Sequence, residues 1–252
     1  MKKILKTSLI LIITIALVLS LTGCGKEEDK PAGTQGGKGS ESNTAAPMNL
    51  SESYGKFTQA KGDMITKIID GMGDNVDFTL SMTLLGVTMV DLAIFPASVC
   101  GLDEVGARAG LSIFFENIDY KDEGNGKYTI TYKNAEGDTG KFVANYDVAT
   151  DSVQVELYDE NNTLSLRMEY IKIAEGYAAQ YYMVSDGEGS VYKIMFTSDD
   201  VSLGIFEATS EPNSIYKGST SFADDWTKGG SIWAEHKGGV TKSIVDGTEK
   251  TY

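Results

Sequence analysis

The sequence predicts an α+β domain, with N-terminal helices packed on one face of a curved antiparallel up-and-down meander of seven to nine strands. Three observations carry that prediction. Apolar residues recur at three- and four-residue steps over 51–73, as on one side of a helix. From 127 onward, short segments of alternating polarity succeed one another. Clusters of Gly, Asn and Asp separate those segments, and connections so short pair neighbouring strands antiparallel.

A different kind of sequence precedes the domain. Lys2, Lys3 and Lys6 open it, and the run Leu9 to Leu21 is almost wholly apolar. That run is shorter than the roughly 20 helical residues a hydrocarbon core requires. A charged start, a short apolar run and small residues after it describe a signal peptide, residues 1–23. Leu21-Thr22-Gly23-Cys24 follows, and this box resembles the lipobox of bacterial lipoproteins. The resemblance implies cleavage before Cys24, a diacylglyceryl thioether on its sulfur, and an acylated new amino terminus. It therefore implies a membrane partner through that lipid, and a protein facing outside the cytoplasm. Two or three acyl chains give durable attachment where one does not.

Residues 24–50 are rich in Gly, Ser, Lys and Glu and poor in large apolar side chains. Such a segment buries too little surface to offset its ordering entropy, and reads as a flexible tether. Its Gly36-Gly37-Lys38-Gly39-Ser40 stretch lacks the Gly-to-Lys spacing of a phosphate loop.

In the domain, 51–252, the first helix spans 51–73, with Tyr54, Phe57, Lys61, Met64, Ile65, Ile68 and Met72 on one stripe. Ser51 or Ser53 is its expected cap, and Gly71 to Gly73 its end. Phe78 to Val99 is the most apolar internal stretch, and Asp91 is its only charge. It alternates like a strand at its start, yet Phe78, Met82, Leu85, Met89 and Leu92 fall at helical spacing; length favours a buried helix. Residues 102–117 are ambiguous and close the helical start. The meander then occupies 127–252, with strands expected at Tyr128–Lys133, Lys141–Val148, Ser152–Tyr158, Leu164–Ile173, Tyr177–Val184, Val191–Thr197 and Val201–Ala208. After Pro212 a looser tail adds a hairpin, Ser231–His236 with Thr241–Asp246. The many strand tyrosines read as core or cross-strand partners.

Composition narrows function. The formal net charge is −14, and removal of residues 1–23 takes away Lys2, Lys3 and Lys6 and no acidic residue, leaving the chain more acidic still. A surface of that sign repels nucleic acid, which is excluded as a partner. With Cys24 lipidated, Cys100 has no partner for a disulfide and reads as a small buried hydrophobe.

Catalytic signals are thin. His236 is the only histidine, so a histidine-based zinc site is excluded by number, and no Gly-x-Ser-x-Gly elbow occurs. Ser214-Ile215-Tyr216-Lys217 has the Ser-x-x-Lys spacing without its companion motifs. Acidic Asp119 to Asn125 reads as a solvated turn, and Asp224-Asp225 as neighbours pointing apart. No cofactor is expected. The distinctive cluster is Tyr216, Phe222, Trp226 and Trp233, which holds both tryptophans in a Gly-rich stretch. Aromatic rings on loops suit glycan or peptide contact, while packing of the tail onto the sheet explains them as well. Three functions remain open: a non-catalytic binding module, a carrier of a hydrophobic molecule, and a cell-wall hydrolase. For the carrier, the helix-plus-meander order resembles periplasmic lipoprotein carriers at the level of fold alone.

Overall fold

A single antiparallel sheet runs through the domain, and its strands follow one another in chain order without a crossover. The computed structural model describes residues 49–74, 77–185 and 187–252. The signal segment 1–23, Cys24 and most of the tether therefore lie outside the described residues.

Helix α1 spans Leu50–Met72. Asn49 caps it, its side-chain oxygen accepting from the Glu52 amide at 2.9 Å. The expected caps do other work: Ser51 donates to the Ser98 carbonyl at 2.6 Å, and Ser53 to the Asp151 carboxylate at 2.6 Å. The expected stripe is buried at Tyr54, Phe57, Lys61, Met64, Ile68 and Met72. Helix α2 covers Phe78–Ala93, capped by Asp77, and a 3-10 turn at Phe95–Val99 follows, opening on Pro96. Helix therefore prevails over strand in the apolar stretch, and Leu80, Leu84 and Val87 are the side it buries. Helix α3, Glu104–Leu111, ends the helical start.

The sheet has eleven strands, more than the seven to nine expected: β1 Glu116–Gly124, β2 Lys127–Lys133, β3 Thr139–Asp147, β4 Ser152–Tyr158, β5 Leu164–Ile173, β6 Gly176–Ser185, β7 Glu188–Thr197, β8 Val201–Ala208, β9 Ile232–Lys237, β10 Val240–Val245 and β11 Thr248–Thr251. The additions are the two edges. β1 begins inside the ambiguous segment and makes a strand of the acidic stretch read as a turn; Tyr120 is its one buried residue. β11 is a four-residue strand exposed throughout. Neither shows the alternation of a half-buried strand, because an edge has little to bury. The reversal between β10 and β11 uses Asp246 and Gly247, both at positive φ, as a two-residue hairpin turn requires.

The helices cover one face of this sheet. There Phe57 of α1 stacks on Tyr170 of β5, ring centroids 4.2 Å apart and planes 8° from parallel. Tyr177 meets Phe57 edge-on at 5.5 Å. Lys61 is the buried charge of α1: its ammonium donates to the Asp91 carboxylate at 2.5 Å, the Val87 carbonyl at 3.2 Å and the Tyr181 hydroxyl at 3.3 Å. Burial lowers the Lys61 pKa and raises that of Asp91, each partly offset by the other's charge. The one charge of the apolar stretch is thus held by the one charged member of the α1 stripe. Cys100 is buried and has no disulfide partner among the described residues, with its thiol pKa pushed up by desolvation.

Candidate functional site

The other face of the sheet is not left to solvent. Between β8 and β9 the chain runs through residues 209–231 without regular structure, crosses that face, and holds three of the four aromatic residues singled out from sequence. Period-two alternation places Arg167 and Glu169 of β5, Gln180 of β6, Lys193 of β7 and Ser202 of β8 on this side.

Those side chains hold the strap. Glu169 is fully buried and accepts from the Ser214 hydroxyl at 2.5 Å, the Ile215 amide at 3.0 Å and the Gln154 amide at 2.7 Å. Arg167 donates to the Pro212 carbonyl at 2.6 Å and pairs with Glu211. Gln180 donates to the Asn213 carbonyl at 2.9 Å, and Thr227 to the Ser202 hydroxyl at 2.8 Å. Lys217 bridges to Asp147 at 2.8 Å; that hydrogen bond lowers the Asp147 pKa and raises the Lys217 pKa. At Gly204 the strap comes closest: a Cβ built there would lie 1.8 Å from the Thr227 carbonyl oxygen. Buried polar groups that are all paired fix one arrangement, and this network fixes the strap.

On that base sit the aromatic rings. Tyr216, Phe222 and Trp226 are half-buried. Phe222 packs on Trp226 at 4.7 Å, and the Lys193 ammonium lies 5.4 Å from Trp226 and 4.7 Å from Phe206. Burial lowers the Lys193 pKa. The Lys217 ammonium lies 5.3 Å from the Tyr216 ring. These are cation–π distances, so Tyr216 and Trp226 each have an ammonium beside the ring, while Phe222 is held by its contact with Trp226. Trp233 differs: it belongs to β9, opposite Gly204, and is 5% exposed. Its indole nitrogen has no hydrogen-bond partner among the described residues. The structure thus groups Tyr216, Phe222 and Trp226 on the strap and sets Trp233 beneath it, within reach of Lys228 at 5.0 Å.

Two clefts border the strap. One of about 200 Å³ is lined by Met195, Asp200, Asp224, Glu235 and Lys237 among others. One of about 280 Å³ lies between Trp233, Lys228, Lys242, Ile244 and Glu249. Both are smaller than the pockets that enclose a drug-sized ligand, and both mix charge with apolar wall.

The chain matches no family of known proteins, no curated protein and no solved structure. Geometry therefore carries the reading alone.

The weaker chemical motifs disperse. Ser214 and Lys217 do not form a nucleophile–base pair: Ser214 bonds Glu169 and Lys217 bonds Asp147. The Nδ1 atom of His236 bonds the Thr241 hydroxyl at 2.8 Å, at the end of β9. Asp119 bridges to Lys121 at 3.0 Å along β1. Sequence reasoning missed the latch residues Arg167, Glu169 and Gln180. The available signal was the cluster of charged and amide groups on the polar side of β5 and β6, beside strands whose other side is apolar.

Proposed function

We propose that the chain is a membrane-anchored lipoprotein, held by lipid on Cys24 outside the cytoplasm, whose folded part is a non-catalytic module that binds an envelope glycan or an extended peptide on its strap face. The observation that carries this reading is the strap itself. A long irregular segment is fixed by a fully buried carboxylate, and it carries the half-buried rings of Tyr216, Phe222 and Trp226, with an ammonium beside Tyr216 and another beside Trp226. Rigid aromatic groups give contact area at low entropic cost, which suits sugar rings and peptide strands. Lys217 and Lys228 are paired with Asp147 and Glu235, and the strap also carries Asp224 and Asp225, so this face offers rings with charges of both signs around them.

A carrier of hydrophobic molecules finds less support. Phe57, Tyr170, Tyr177 and Phe196 fill the space between α1 and the sheet with ring-to-ring contact.

The test uses the two tryptophans as reporters. Titration with soluble peptidoglycan fragments is expected to shift the emission of half-exposed Trp226. Tyr216→Ala with Phe222→Ala should weaken binding at least tenfold while the far-UV circular dichroism stays unchanged. Binding that survives the double substitution would remove the strap rings from the site.

A further inference from the structure

Helix α2 is apolar on two sides, and the fold covers only one. Leu80, Leu84 and Val87 are buried. On the opposite side Phe78, Met82, Leu85, Met89 and Leu92 follow at four- and three-residue steps; Phe78 is 78% exposed, and Met82 and Leu85 are each 50% exposed. A helix apolar all round is one that is covered all round, and a contiguous exposed apolar face on a soluble surface marks an interaction site. Beyond the helix, Phe95 meets Phe114 edge-on at 5.0 Å, and Leu102 is exposed.

The entry point of the domain lies toward the C-terminal end of α2, where Tyr54 of the first turns of α1 reaches Asp91. The Ser51 amide bonds the Cys100 carbonyl at 2.9 Å, and Asn49 lies against Gly101, next to exposed Leu102. The chain that leads to Cys24 thus leaves from the C-terminal side of α2. Cys24 and Asn49 are 25 residues apart in the sequence, so at about 3.5 Å per residue they can be separated by no more than roughly 90 Å.

We infer that the exposed face of α2 docks on the outer surface of the same bilayer that carries the lipid on Cys24. This rests on the anchor reading of the preceding section. With 16 residues, α2 is about 24 Å long, short of the roughly 30 Å hydrocarbon core, and no described helix is long and apolar enough to cross. It therefore lies in the interface, apolar side down. The face presents no charge for lipid to desolvate: the only charge of α2, Asp91, is bonded inward to Lys61 at 2.5 Å and Tyr54 at 3.5 Å. A second copy of the chain suits the face less well, because two chains with the same strongly acidic net charge repel as they approach. Docking by the helix layer also turns the strap, on the other side of the sheet, toward the outside.

The experiment uses the full chain, acylated in cells and reconstituted into phosphatidylcholine vesicles. An environment-sensitive thiol label goes on Leu85→Cys or, as control, on Thr220→Cys of the strap; buried Cys100 does not compete. Lipid-borne quenchers are expected to dim the Leu85→Cys label at least threefold more than the control, and Phe78→Glu with Met82→Glu should abolish the difference. Equal dimming of both labels on an acylated chain overturns docking and leaves the anchor standing. Should mass spectrometry find no acyl group, the anchor reading fails, and phosphatidylcholine vesicles added to the same two labelled chains made with Cys24→Ser decide docking alone: preferential dimming of Leu85→Cys supports it, and its absence overturns it. A label shielded without vesicles, in proportion to protein concentration, assigns the face to a second copy and overturns the proposal.

Discussion

The two faces of the sheet are covered by opposite chemistry. On the helix side, aromatic rings stack and one ion pair, Lys61 with Asp91, is enclosed among them. On the strap side, carboxylate, guanidinium and amide groups hold a segment with no regular structure. Apolar packing is tolerant of direction and tied to periodicity, so a helix can supply it. Hydrogen bonding is directional, and an irregular strap can supply donors and acceptors wherever the sheet requires them. The helix side thus sets stability, while the strap side sets the position of a surface.

That division can be broken by substitution. Phe57→Ala removes the ring stacked on Tyr170 and is expected to cost about 3–5 kcal/mol, read as a lowered urea midpoint for the whole domain at unchanged slope. A loss below about 1 kcal/mol would mean that the helix layer is not the source of stability. Glu169→Gln keeps shape but removes charge from the bonds to Ser214 and Ile215, with an expected cost of about 2 kcal/mol. Here limited proteolysis should cut within 209–231 before the sheet unfolds; cleavage elsewhere first would deny the strap its separate latch. Gly204→Ala forces the Thr227 carbonyl away, at about 1–3 kcal/mol, and should free the strap while α1 stays in place.

The smallest effect concerns pH. The folded pKa of Asp147 is depressed by Lys217, so its contribution is present above the ordinary carboxylate range and lost as pH falls through that lowered value. Lys217 is raised, so its contribution is present below its ordinary range and lost as pH climbs through the raised value. The bridge thus holds between the two, and Trp226 emission should change in acid below about pH 4. Lys217→Met should remove that acid step and leave the rest of the titration intact.

Sequence revealed the helix side far better than the strap side. The stripe from Tyr54 to Met72 repeats every turn, and the clusters at Asn134 to Asp138 and Asp159 to Asn162 mark reversals, so α1 and β2 to β10 were legible to within a few residues. Edge strand β1 was not, because Asp119, Lys121, Asp122 and Glu123 imitate a solvated turn where only Tyr120 needs burial. The latch was hidden for a different reason. Glu169 meets Ser214 45 residues away and Gln180 meets Asn213 33 residues away, and no local period encodes a bond of that length. The aromatic cluster was visible as a composition, but its split into three surface rings and one buried Trp233 depended on the strand pairing of Trp233 with Gly204.

The uncrossed strand order bears on how the chain reaches this state. Each strand pairs with the one made just before it, so the sheet can grow one hairpin at a time through short loops, the strap between β8 and β9 being the one long connection. The helix layer has no such local route. Ser53 waits for Tyr170, Lys67 waits for the Ser198 carbonyl, and Asp77 receives Lys250 from the last strand, 173 residues later. Long-range contacts of this kind slow folding. The rate-limiting event is therefore expected to be the laying of α1 and α2 across a sheet already zipped, with the first helices synthesised among the last elements to find their place.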